Sequence, residues 1–146
     1  MEETPVNEKF RFLDHTADAK FQAYGRTLEE AFSNAALATV SLMWKPDDVE
    51  RVQEQQVAVS GRDLEQLLVR FLGETIYLFE TRNFLLAAVE NLTIERTAEG
   101  FRLRALFRGD ERREQHAILG EVKAVTYNEM RIEEGCPVTV QVVVDI

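Results

Sequence analysis

Cysteine is nearly absent from this chain. Cys136 is the only one in 146 residues, so no intrachain disulfide can form and a reducing, cytoplasmic setting is expected. No apolar run reaches the length of a membrane span, so no membrane partner is expected. The opening Met1-Glu2-Glu3-Thr4-Pro5 is acidic and polar and does not read as a signal peptide. Basic residues are few: 17 Lys and Arg stand against 26 Asp and Glu, giving a net charge of −9. That balance argues against broad nucleic-acid binding, which needs cations to neutralise phosphates. It suits metal binding or docking on a basic partner. There is no G-x-S-x-G, no P-loop, no G-x-G-x-x-G and no Cys/His nucleophile pair, so nothing demands an enzyme. With 3 prolines and 7 glycines no low-complexity linker interrupts the chain, and residues 1–146 read as one domain.

What is present is patterned. Thr27-Leu28-Glu29-Glu30 forms a capping box, and Leu28, Ala31, Phe32, Ala35, Thr39, Leu42 and Met43 follow at helical spacing. This helix stops near Trp44-Lys45-Pro46. A second helix begins near Ser60-Gly61-Arg62-Asp63, with Ser60 and Asp63 both open as caps. Its apolar face of Leu64, Leu67, Leu68, Phe71, Leu72, Ile76 and Phe79 runs to about Thr81. Strands are expected around Lys20–Tyr24, Val52–Val59, Phe84–Glu95, Phe101–Phe107, Val122–Ile132 and Val138–Val144. Thr97-Ala98-Glu99-Gly100 reads as a hairpin turn. Asp110-Glu111-Arg112-Arg113-Glu114 reads as a solvated loop. Phe12, Phe21, Trp44 and Phe84 are expected in the core. Two amphipathic helices against antiparallel-rich sheet make a two-layer α+β sandwich. The helix-centred pattern occurs twice, although the halves share little at residue level.

The candidate chemistry lies at the two ends. The last strand-like run carries the chain to Asp145 and Ile146, so a side-chain and a terminal carboxylate are neighbours there. A second acidic knot is Asp14-His15-Thr16-Ala17-Asp18. Adjacent carboxylates repel unless a cation sits between them, and hard divalent cations take oxygen ligands. If the fold joins Asp18 to the C-terminal acids, both ends build one site, with Asp14 and His15 as supporting or partner-contacting residues. The other reading of the knot is a turn in which Asp14 or Thr16 bonds backbone N–H groups. Lys123 is either an outward-snorkelling lysine, a contact for an acidic or phosphate group, or a balance for the site's charge. His116 reads as a hydrogen-bonded structural residue.

These motifs together resemble the archease family. The resemblance rests on Asp14-His15-Thr16-Ala17-Asp18, on Gly25 with Thr27-Leu28-Glu29-Glu30-Ala31-Phe32, on Gly120-Glu121-Val122-Lys123-Ala124-Val125-Thr126-Tyr127, and on the ending Val144-Asp145-Ile146. It covers the chain from Phe10 onward. It implies a duplicated strand-helix-strand-strand module. It also implies a non-enzymatic protein cofactor of an RtcB-type RNA-splicing ligase, which promotes guanylylation and multiple turnover and broadens nucleotide use in tRNA splicing and RNA repair. The family's metal positions fall on Asp18, Asp145 and Ile146, and its functional lysine on Lys123. The cofactor implied is a divalent cation, with Ca²⁺ the ion expected in a crystal and Mn²⁺ or Mg²⁺ as alternatives. Asn128 stands where the family commonly has His, so hydrogen-bonding capacity stays and a titrating nitrogen is lost. The alternative function is a chaperone-like specificity modulator of an RNA-modifying methyltransferase.

Overall fold

A computed structural model describes residues 8–13 and 18–146. The element order is β1 (Phe10–Leu13), β2 (Ala19–Gly25), α1 (Leu28–Ser41), a 3₁₀ turn (Pro46–Asp48), β3 (Gln53–Gly61), α2 (Leu64–Arg82), β4 (Phe84–Thr97), β5 (Gly100–Glu111), β6 (Ala124–Glu133) and β7 (Val138–Asp145). From β2 onward the order of strands and helices is the expected one.

Both helices start by the same local device. The Thr27 hydroxyl accepts from the Glu30 N–H at 3.1 Å, and Glu30 Oε1 accepts from the Arg26 N–H at 2.8 Å. In α2 Asp63, not Ser60, is the cap: it accepts from the Gln66 N–H at 2.8 Å, while Gln66 Oε1 accepts from the Arg62 N–H at 2.9 Å. Each pair satisfies two donors that the first helical turn leaves without partners. The preceding strand must pass very close to the helix. A Cβ on Gly25 would lie 2.4 Å from the Ala31 nitrogen, and one on Gly61 would lie 2.6 Å from the Leu67 nitrogen. The junctions therefore share a motif, Gly25-Arg26-Thr27-Leu28-Glu29-Glu30 and Gly61-Arg62-Asp63-Leu64-Glu65-Gln66. The halves do share residues, at the one place where geometry is most demanding.

The topology shows how the repeat is arranged. One sheet has the order β1-β2-β7-β6 and the other β3-β5-β4, with every pairing antiparallel. Strand, helix, strand, strand is β3-α2-β4-β5 in one module and β2-α1-β6-β7 in the other. In each sheet the third strand of the module lies between the first and second. The second module is thus inserted into the first after α1, and β1 is an added edge. The bulges repeat as well. β4 breaks register between Glu90 and Thr93, with Asn91 at φ 53°, and β6 breaks between Thr126 and Arg131, with Glu129 at φ 52°.

The core is shared by both modules. Phe21, Ala23, Val140, Val142 and Val144 from one sheet and Val57, Leu103, Ala105 and Phe107 from the other are buried with the inner faces of α1 and α2. Phe32 of α1 stacks on Phe71 of α2, with ring centroids 6.4 Å apart, and Phe71 meets Phe107 of β5 edge-on at 5.6 Å. Trp44 is buried against Phe79, and its indole N–H donates to the Leu86 carbonyl at 3.0 Å.

Two expectations need correction. Phe12 is not core: it lies on edge strand β1 and is 43% exposed, although Phe21, Trp44 and Phe84 are buried as expected. Asp110 is not in a solvated loop: it belongs to β5 and is 2% exposed. Its oxygens are satisfied by the Arg113 guanidinium and the Glu111 N–H, which is what lets a carboxylate stay inside.

Asp63→Ala removes one capping bond and leaves packing untouched. It should cost about 1 kcal/mol and lower Tm by about 3 °C, read by circular dichroism.

Candidate metal and partner site at the end of the first sheet

The ladder between β2 and β7 brings the two ends of the chain together. Its pairs run from Gly25 with Val138 to Ala19 with Val144. One residue beyond that last pair, Asp18 immediately precedes β2 and Asp145 ends β7, so the register carries both acids to the same end of the sheet. On the other side of β7, Ala124 pairs with Asp145, and the Lys123 N–H donates to the Asp145 carbonyl at 2.8 Å. Ile146 follows, 52% exposed. Asp18, Lys123, Asp145 and Ile146 therefore meet at one end of one sheet. Asp14 and His15 lie outside the described residues.

The terminal strand is well anchored. Val140, Val142, Val143 and Val144 are fully buried, so the acids ride on backbone held from both sides. Asp18 and Asp145 are half-buried and Lys123 is exposed. Among the described residues, the side chains of Lys123 and Asp145 form no ion pair, although their backbones are bonded. Among the described residues, too, no three His, Cys, Asp or Glu side chains converge on a point. Asp18 and Asp145 bring two carboxylates to this sheet end, and carboxylate oxygens are the donors that hard divalent cations take.

A polar seam on the outer face of the same sheet was not read from the sequence. Tyr24 Oη donates to Gln22 Oε1, Gln22 Nε2 donates to Gln141 Oε1 and Gln141 Nε2 donates to the Glu129 carbonyl, at 3.0, 3.0 and 2.8 Å. Lys20 Nζ reaches the Glu129 carboxylate at 3.1 Å. These bonds tie the β6 bulge, which carries Asn128, across β7 to β2. The available signal was Gln141 itself, a polar residue only 6% exposed in an otherwise valine-rich run. His116 is structural, as expected: its Nδ1 accepts from the Arg113 N–H at 2.9 Å.

Comparison with known proteins gives a consistent picture. Residues 10–146 match the sequence model of the Archease protein family. "Protein archease" of Methanosarcina mazei is 39% identical over 141 residues, spanning 95% of this chain and 97% of that protein. "Protein archease" of Pyrobaculum neutrophilum is 40% identical over 140 residues, spanning 94% and 95%. The solution structure of Methanobacterium thermoautotrophicum protein 1598 superposes with a TM-score of 0.78 at 34% identity, covering 94% of this chain and 98% of that one.

Gln141→Leu keeps the volume roughly and removes both seam bonds. It should cost about 1 kcal/mol, since two part-buried hydrogen bonds are lost. The urea midpoint should fall at unchanged slope, and amide exchange should quicken in the β6 bulge more than in α1.

Proposed function

The chain belongs to the archease family, and from that premise we propose that it is a non-enzymatic cofactor of an RtcB-type RNA-splicing ligase. In this role it promotes guanylylation of the ligase and multiple turnover, and it broadens nucleotide use. The observation that carries the reading is the register that sets Asp18 beside Asp145 and Ile146 at the open end of the first sheet.

The carboxylates of Asp18, Asp145 and Ile146 would hold a divalent cation, with Ca²⁺, Mn²⁺ and Mg²⁺ all compatible with oxygen donors. Such an ion, when bound, supplies fixed positive charge against the negative charge of a transferring phosphoryl group. The protein's own contribution is orientation. The valines of β7 hold the acids on a rigid strand, and the seam through Gln141 and Glu129 holds β6 beside them. Lys123 projects from the same end and is suited to an acidic or phosphate group of the partner. None of the described helices is long and apolar enough to cross a membrane.

Archease and ligase should be tested together, by following ligase guanylylation with GTP. Stimulation by the wild type should fall at least roughly tenfold in Asp145→Ala, the scale seen even when outer partners of a metal site are removed. Adding one residue after Ile146 should weaken metal binding by a similar factor with Tm unchanged. Stimulation that survives Asp145→Ala would remove the site and keep the function. No stimulation by the wild type, with an active cognate ligase, would remove the function and turn attention to a methyltransferase partner.

A further inference from the structure

Gly73 sits in the middle of α2, a helix of 19 residues. Glycine is, after proline, the poorest helix former, because the helix freezes a backbone that is otherwise free. A helical glycine is usually explained by crowding. Here crowding is absent: a Cβ built on Gly73 meets nothing within 4 Å. Gly25 and Gly61, by contrast, are forced by backbone less than 3 Å away. The repeat sharpens the point. With the two helices aligned on their caps, the residue of α1 that corresponds to Gly73 is Leu37, which packs against the core. The second module has left this spot bare, and among the described residues nothing uses the space.

The bare backbone opens into a hollow of about 380 Å³ lined by Val59, Ser60, Arg70, Gly73, Glu74 and Tyr77. Tyr77, one turn along, is 56% exposed, so its ring faces solvent without a cover. Arg70 lines the same hollow and is held by the Ser60 carbonyl, to which its Nη1 donates at 2.8 Å. Glu74 has no ion pair or side-chain hydrogen bond among the described residues. Its partial burial pushes the carboxyl above the ordinary range. An exposed aromatic ring, a partly buried carboxylate, a close-approach backbone and the Ser60-bound Arg70 line one notch.

We propose that this notch receives a lysine or arginine side chain of the RNA ligase, with Tyr77 offering its ring, Glu74 its carboxylate, and Gly73 the room for contact. The inference rests on the ligase reading above and adds a second contact point to it. Charge complementarity selects the occupant. The chain carries a net charge of −9, and a protein that handles RNA must display lysine and arginine to meet phosphates. Arg70 is engaged by the Ser60 carbonyl, whereas Glu74 has no ion pair or side-chain hydrogen bond among the described residues, so the charge left open in the notch is negative and disfavours a phosphate or RNA occupant. A cation between a ring face and a carboxylate is favoured by both.

Binding of the full chain to the RNA ligase of the same organism tests this. Gly73→Ala should fold with Tm unchanged or raised by about 3 °C, because alanine is the better helix former and meets no clash. It should nonetheless bind about tenfold more weakly, as should Glu74→Gln and Tyr77→Ser, the scale of losing one well-packed contact. Affinity of the wild type should fall with salt more steeply than that of Glu74→Gln. If the wild type binds and all three variants stay within about twofold of it, the notch is not a docking point, while the ligase reading stands. If the wild type does not bind an active ligase, both fall.

Discussion

Everything placed at the candidate site depends on one ladder, the antiparallel pairing of β2 with β7. These strands are separated in sequence by both helices and the whole second module, yet they are neighbours in the sheet. Seven pairs and a buried row of valines hold them in register. A shift of one residue would move every side chain to the opposite face, putting Val140, Val142 and Val144 outside and Gln141 inside. The hydrophobic cost therefore sets the alignment of Asp18 with Asp145. Repulsion between the acids acts against the pairing only at its last step, where the strands open to water and the repulsion is weakest.

The same ladder explains how a nested repeat can be stable. The inserted module makes its own sheet from strands close in sequence, β3, β4 and β5, and carries its own capped helix. The outer module must wait for β6 and β7, so its closure links distant residues and costs loop entropy, although that cost grows slowly with length. The aromatic row Phe32, Phe71 and Phe107 then joins α1 to α2 and β5. Each module buries the face that the other would leave open, so their buried residues form one common core.

Much of this was legible in the chain, and the reason is locality. A cap needs a side chain and an N–H three residues apart, so Thr27 and Glu30 announce α1. For α2 the choice between Ser60 and Asp63 needed the structure. Strand existence followed from alternation, whereas the approach of Asp18 to Asp145 stood in the sequence only as a condition on the fold. The nested order of the modules was not legible, because a strand's partner leaves no mark at a fixed offset. Asp110 misled because its satisfaction by Arg113 is a matter of conformation. Phe12 misled because burial on an edge strand depends on whether anything covers the edge. The shared Gly-Arg-x-Leu-Glu junction was on the page and was the one residue-level trace of the repeat. Asp14 and His15 lie outside the described residues, and their part in the knot is untouched by the geometry.

The two modules finish their sheets in chemically opposite ways, and this contrast is the best guide to where function lies. In the inserted module β5 ends in Asp110 and Glu111 beside β4. There Asp110 is buried and answered by Arg113 from within the chain. In the outer module β7 ends in Asp145 beside β6, with Asp18 across the other edge, and Asp145 forms no ion pair among the described residues. An acid neutralised internally needs nothing further and serves the fold. Asp145, half-buried at a strand end and without an ion pair among the described residues, is instead open to a counter-charge from outside the chain. The frame is the same in both modules. What differs is whether the chain itself supplies the counter-charge, and that difference makes one sheet end a structural closure and the other a candidate site.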